Sequence, residues 1–464
     1  MYFSSLLFLF LYLPAALIGY YILPHKCRNF FLLFVNVVFY GWGEPVLILV
    51  MAVSVLVNYI FGILIEKYRS KERLAKTFLI FDLIISLGLL GVFKYAGFLT
   101  DILRKLPFLA MLPKIKLALP IGISFYTFQT LSYTIDVYRK DVKAQKNIIN
   151  FGTYVSFFPQ LIAGPIVRYS DIAKQLVSRE ETVSKFASGI KRFAVGLAKK
   201  ALLANQMGLL WDTLREMPNM GAVGAWTGIA AFSLQIYFDF SGYSDMAIGL
   251  GRMFGFEFVE NFNYPYISKS ITDFWRRWHI SLSSWFKDYV YIPLGGNRCK
   301  TGRCIFNLFV VWALTGLWHG ASFNFVLWGV YYFVLLVLEK YVYGKALSHL
   351  PSVFRHIYAL FFIMLGWALF CFEDFGALNS YVMQMFGSGG FFAGADVMSL
   401  VKSYAPLLAV SALACVPLWR NMYSRIRNQK WTALFEILVV CALLFMCTVS
   451  LVNDSYNPFL YFRF

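Results

Sequence analysis

Charged side chains are scarce in this chain. Asp, Glu, Lys and Arg together make up 14% of its 464 residues, where a soluble domain carries roughly a quarter. With 59% hydrophobic residues, that shortage excludes a water-soluble fold and implies an all-α polytopic membrane protein. Acidic residues are scarcest, 24 against 42 basic ones, for a formal charge of +18. In a membrane protein such an excess reads as loops facing anionic membrane lipids, with basic residues left over for an anionic substrate; nucleic acid is not expected. Cysteine is sparse too. Of the seven, Cys371, Cys415, Cys441 and Cys447 lie in apolar runs, where a thiol acts as a small hydrophobe. Cys299 and Cys304 share a basic loop without a His or further Cys, so they are expected to be structural, and no metal site is expected. No long polar segment offers a soluble lobe.

What the chain has instead is apolar runs. They fall near 2–23, 29–44, 46–65, 77–98, 117–137, 197–215, 223–250, 306–339, 357–372, 404–419 and 432–452. Counting 306–339 as a pair gives about 11 to 12 transmembrane helices. The first run has no basic segment ahead of it, so it is expected to be retained as a span. The chain reads as one integral-membrane domain, with N-terminal helices in 1–147, a core of re-entrant, interfacial and broken helices in 148–340, and C-terminal helices in 341–464.

Basic residues orient these spans, because cytoplasmic loops carry the excess of Lys and Arg. Lys26 and Arg28, the cluster from Lys67 to Lys76, Arg139 to Lys146, Arg252 to Arg303, and Arg420, Arg425, Arg427 and Lys430 all fall on one side if spans alternate. That side is the cytoplasm, which puts both termini outside. Arg104, Lys105, Lys114 and Lys116 are the misfit.

His319 stands inside the apolar stretch Phe306–Leu338, in Thr315-Gly316-Leu317-Trp318-His319-Gly320-Ala321-Ser322. An ionisable group at that depth is costly unless paired, wetted or used. Gly316 and Gly320 mark a helix break around a cavity. From Phe306 to Glu339 there are 34 residues, too few for two full spans of about 20 residues plus a turn. The expectation is a pair of helices that enter, break near His319 and return to the same side. The plainer alternative, a histidine that bonds a neighbouring helix and does nothing else, fits the paired glycines and tryptophans less well.

A second histidine lies in Ser270–Tyr289. Ser270 with Asp273 starts a helix in capping-box fashion, and Trp275, Trp278, Leu282, Trp285 and Phe286 keep helical spacing. This predicts an amphipathic interfacial helix with Arg276, Arg277 and Lys287 off the apolar stripe and His279 on it. Spacing does not decide whether His279 reaches a site. Asp239 and Asp245 sit in a membrane-like run and are expected to be buried in ion pairs, with Arg276 or Arg277 as the partner considered. Phe151–Val167, with Pro159, Gly164 and Pro165, reads as re-entrant backbone. Ile292-Pro293-Leu294-Gly295-Gly296-Asn297-Arg298 is a turn.

The runs Phe158–Arg168, Asp239–Asp245, Trp275–Leu282 and Gly316–Ala321 together resemble the membrane-bound O-acyltransferase family, in the family's order and over nearly the whole chain. Ser281–Arg298 is similar to its bacterial alginate O-acetyltransferase subgroup. The resemblance implies a ring of tilted helices around a central funnel, in a bacterial cytoplasmic (inner) membrane. It implies that His319 is the catalytic histidine and His279 the second signature position. It also makes Trp318, Gly316, Gly320, Asp239, Ser241, Asp245, Pro159, Gln160, Trp275, Arg276, Arg277, Asn297 and Arg298 the candidates for substrate or tunnel contact. Acetyl-CoA is the implied donor, with no bound cofactor. On that basis His319 acts as general base, while His279, Asn or Ser groups, or backbone N–H at the helix break, steady the oxyanion. The implied acceptor is an exported polysaccharide, reached through a periplasmic or extracellular partner with a Ser nucleophile. Rivals are direct acylation of a lipid-linked glycan, D-alanyl transfer to a cell-wall polymer and, from another class, a polysaccharide or lipid transporter. The transporter would call for inverted repeats of hydropathy, which the chain lacks.

Overall fold

A computed structural model describes residues 2–218, 220–426, 429, 431–453 and 460. Arg427, Lys430 and the C-terminus, which entered the orientation argument, lie outside them. Every regular element among the described residues is helical. Seven helices are long and apolar enough to cross a membrane: Ile48–Lys67, Glu72–Leu103, Thr301–His319, Phe323–His349, Ser352–Cys371, Ala395–Ala414 and Thr432–Asn453. Other predicted runs form helices that carry more polar groups or are interrupted. The run at 117–137 becomes Ile123–Arg139, and 197–215 becomes a π-turn, Lys199–Ala204, leading into Asn205–Glu216. The run at 404–419 is displaced: its helix is Ala395–Ala414, ending ahead of Pro417, which disfavours helical backbone before it.

The chain divides into two compact units, Met1–Phe193 with Ser244–Val259, and Ala194–Tyr243 with Glu260–Phe464. Inside the first, Glu72–Leu103 turns a polar stripe toward its neighbours. The Thr134 hydroxyl donates to Asp82 at 2.7 Å, the Asn58 amide to Ser86 at 3.1 Å, and Lys94 to Ser124 at 3.1 Å. Burying polar groups in a membrane requires such partners.

The second unit is built on a helical hairpin. Thr301–His319 and Phe323–Leu338 run antiparallel, with Phe309 against Phe333 and Trp312 against Tyr332 (ring centroids 5.4 and 5.7 Å apart). They approach closely because Gly316 and Gly329 meet at the crossing. A Cβ on Gly316 would stand 2.3 Å from the Phe325 carbonyl oxygen, and one on Gly329 2.3 Å from that of Trp312. Small residues at the interface give membrane helices their packing energy when no hydrophobic drive separates them from lipid. Gly320 and Ser322 are extended, so the chain breaks directly after His319. At the other end Lys340, just past the return helix, donates to Asn297 in the loop before the first helix at 2.6 Å.

Glu339, buried at that end, ties the hairpin to the segment bearing His279. Its carboxylate accepts from the Ile271 and Thr272 amides at 2.6 and 2.8 Å, from the Thr272 hydroxyl at 2.6 Å and from Tyr358 at 3.0 Å. An anion at a helix N-terminus satisfies amides that have no partner within the helix.

Candidate active site

The predicted interfacial helix is two short helices, Ile271–Trp275 and Ile280–Phe286. Ser270 caps the first, accepting from the Asp273 amide at 3.0 Å. Between them His279 takes a left-handed conformation, φ 45° and ψ 54°, which a residue with a Cβ adopts only when its surroundings impose it. Asn261 does so. Its carbonyl accepts from the Ile280 amide at 2.9 Å, and its side-chain oxygen meets the Ser281 amide (3.3 Å), the Ser281 hydroxyl (2.8 Å) and His279 Nδ1 (3.1 Å).

This network sets the imidazole's tautomer. The Ser281 amide can only donate, so the Asn261 atom it meets is the oxygen, and Nδ1 must carry the hydrogen shared with that oxygen. Nε2 is left with a lone pair. It is buried and has no hydrogen-bond partner among the described residues. Burial, and after it the neighbouring His319, hold the imidazole well below the ordinary histidine range, so the ring is neutral at physiological pH.

His279 packs edge-on against Phe240 and Trp318, with centroids 4.7 and 5.7 Å away. His319 shares Trp318 with it, 5.0 Å away, and lies 5.0 Å from Trp328 and 5.3 Å from Phe370. His319 is half-buried, whereas His279 is 1% exposed. His319 lines a cavity of about 40 Å³ walled by Ile236, Asp239, Phe240, Trp278, Trp318, Trp328, Trp367, Phe370 and Leu460. That is room for a few waters or a very small organic group.

Asp239 and Asp245 are buried and paired, as expected, but their partners are not Arg276 or Arg277. Lys200 sits 2.7 Å from Asp239, whose second oxygen accepts from the Leu460 amide at 2.8 Å. Asp245 pairs with Arg192 at 2.6 Å, in the first unit. Glycine contacts bring these partners in: a Cβ on Gly242 would lie 2.7 Å from the Gly196 carbonyl, and one on Gly249 2.6 Å from that of Gly189. Arg277 is held one turn away by Asp273 at 2.9 Å, and Arg276 is exposed.

The remaining candidates are scattered. Ser241 is buried, its hydroxyl without a partner among the described residues. Trp275 packs on Trp312 and Tyr332 of the hairpin, 4.7 and 4.9 Å away. Gly320 lies under the Phe325 ring, where a Cβ would meet it at 2.3 Å. Asn297, exposed, accepts from Tyr291 at 2.7 Å, and Arg298 is exposed beside it. Pro159 and Gln160 are buried in the first unit, where the Gln160 amide donates to the Tyr154 carbonyl at 2.6 Å. Asn261 and Lys200 escaped the sequence reading. Nothing in the spacing of Glu260-Asn261-Phe262-Asn263 distinguishes the first asparagine from the second.

Residues 139–373 match the profile of MBOAT, the membrane-bound O-acyltransferase family, and that span contains both histidines, Asn261 and the hairpin. The chain belongs to this family. It is 44% identical to a probable alginate O-acetylase AlgI of Pseudomonas aeruginosa, over 84% of this chain and 75% of that one. It is 38% identical to the Pseudomonas putida protein of the same name, over the whole of both. A peptidoglycan O-acetyltransferase of Helicobacter pylori is 32% identical over 84% of this chain and 80% of its own.

Proposed function

We propose that this membrane-bound O-acyltransferase takes acetyl from cytosolic acetyl-CoA and delivers it across a bacterial cytoplasmic membrane, with both termini outside, for O-acetylation of an exported polysaccharide. What supports this most directly is the half-buried His319 facing a cavity of about 40 Å³ at a helix break. His319 takes the proton of an acceptor hydroxyl. The oxygen attacks the thioester carbonyl, a C–O bond forms, the C–S bond breaks, and the CoA thiolate leaves and regains the proton from His319.

In the tautomer that Asn261 imposes, His279 cannot donate from Nε2. The oxyanion must therefore be steadied by other N–H groups, and His279 is placed as a positioning residue, packed on the Trp318 ring that also carries His319. Asn261→Leu is expected to lower CoA release about 10- to 100-fold by releasing the ring, while Asn261→Asp, which keeps an acceptor at Nδ1, recovers most of the loss. Equal turnover in all three proteins would make Asn261 purely structural.

The relatives named for alginate and peptidoglycan acetylation support a hydroxyl-bearing glycan polymer as the acceptor. Delivery through an external partner with a Ser nucleophile is part of this proposal, as the resemblance of Ser281–Arg298 to the alginate subgroup implies. D-alanyl transfer fits less well, because Asp239, the one carboxylate among the described lining residues, is already engaged by Lys200 rather than left to meet an alanyl ammonium. The test is CoA release by the purified protein from acetyl-, butyryl- and palmitoyl-CoA. Acetyl-CoA should be turned over fastest and palmitoyl-CoA hardly at all; equal rates would reject the acetyl assignment.

A further inference from the structure

Two cysteines that the acyl transfer does not use are brought together at the foot of the His319 hairpin. Cys299 lies in the loop after the Gly295–Gly296 turn, and Cys304 is buried in the first turn of Thr301–His319. Their sulfurs are 3.0 Å apart, about 1 Å beyond a disulfide bond. Among the described residues no other two of the seven cysteines show a sulfur–sulfur contact. The surroundings hold the pair in place: the Cys304 thiol lies 3.3 Å from the Cys299 carbonyl, the Cys299 thiol 3.3 Å from the Gly296 carbonyl, and the Asn307 amide donates to that same Gly296 oxygen at 3.2 Å. Cys299 is partly open to solvent, so an oxidant can reach one sulfur while the other waits behind it.

We infer that Cys299 and Cys304 are a reversible oxidation site, closed to a disulfide by a peroxide and reopened by a thiol reductant. The Cys299 thiol reacts with one hydrogen peroxide to give a sulfenic acid and one water. The Cys304 sulfur then attacks it, the S–S bond forms and a second water leaves. The pair loses two electrons and two protons, and the peroxide gains both. In a reducing compartment such a bridge is transient and redox-sensing rather than a permanent staple. It would fasten the Gly295–Arg298 turn covalently to the helix that carries His319. Hydrogen bonding to Cys304 comes first, and burial second, among the causes that raise the Cys299 thiol above its ordinary range; Arg303 and Lys340 act the other way, and Tyr291 also faces the pair. Thiolate is the reactive form, so mildly alkaline buffer suits the reaction.

The experiment exposes the purified full-length chain to one equivalent of hydrogen peroxide, blocks remaining thiols with N-ethylmaleimide and maps the peptides by mass spectrometry. The expected product is a peptide pair linked through Cys299 and Cys304, lighter by two hydrogens and free of maleimide, with both labels restored after reduction. Cys299→Ser, a change at the loop side that leaves the buried Cys304 in place, should abolish the link. Maleimide on both sulfurs under conditions that oxidise the exposed Cys27 would overturn the assignment, as would oxidation of Cys299 to the sulfinic acid without a bridge.

Discussion

CoA release from acetyl-CoA should fall about 10²- to 10⁴-fold when His319 is replaced by alanine, the range a positioned general base supplies. That is a barrier increase of about 3–5 kcal/mol. Loss of packing is a separate effect. Truncating His319 deletes its edge-on contacts with Trp318, Trp328 and Phe370, and such contacts contribute about 0.5–1.5 kcal/mol each. Tryptophan-fluorescence melting of both proteins separates the two effects. Equal CoA release in wild type and variant would remove His319 from the chemistry.

The largest effect on stability is expected at Lys200. Its ammonium and the Asp239 carboxylate are 4% and 3% exposed and 2.7 Å apart. Two charges buried this deeply gain little over an apolar pair, but removing one strands the other at a cost of about 3–5 kcal/mol. Lys200→Met should therefore lower Tm markedly and reduce the yield of folded protein. Adding Asp239→Asn should recover much of that loss, because no uncompensated carboxylate remains. If the single and double variants melt alike, the charge pair is not what holds this part of the unit.

How far these features could be read in advance depended on how local their causes are. The break after His319 was legible because Gly316 and Gly320 announce it within five residues, but the length argument failed: the helices run beyond the apolar stretch to Thr301 and His349, and each is long enough to cross a membrane. Helical character and membrane residence followed from apolar runs. The partners of Asp239 and Asp245 were not legible, since they depend on which helix lies across Gly242 and Gly249, a tertiary fact. His279 shows the limit most clearly. The stripe from Trp275 to Phe286 has a helical period, so the sequence argues for one unbroken helix. The turn at His279 is imposed by Asn261, 18 residues earlier, and hydrogen bonds over that distance leave no periodic trace. The short helices on either side keep the stripe's apolar residues buried, which is why pattern alone could not reveal the interruption.

Glu339 has a bearing on how this chain can change over time. Its carboxylate grips the amides of Ile271 and Thr272 from the far end of the return helix, so the number of residues between it and His319 is effectively counted. One residue inserted into Phe323–Leu338 would swing Glu339 by about 100° and break that grip, loosening the His279 segment without touching either imidazole. Length variation should therefore be confined to the outer loops, while the twenty-residue interval from His319 to Glu339 stays constant wherever this joint is kept.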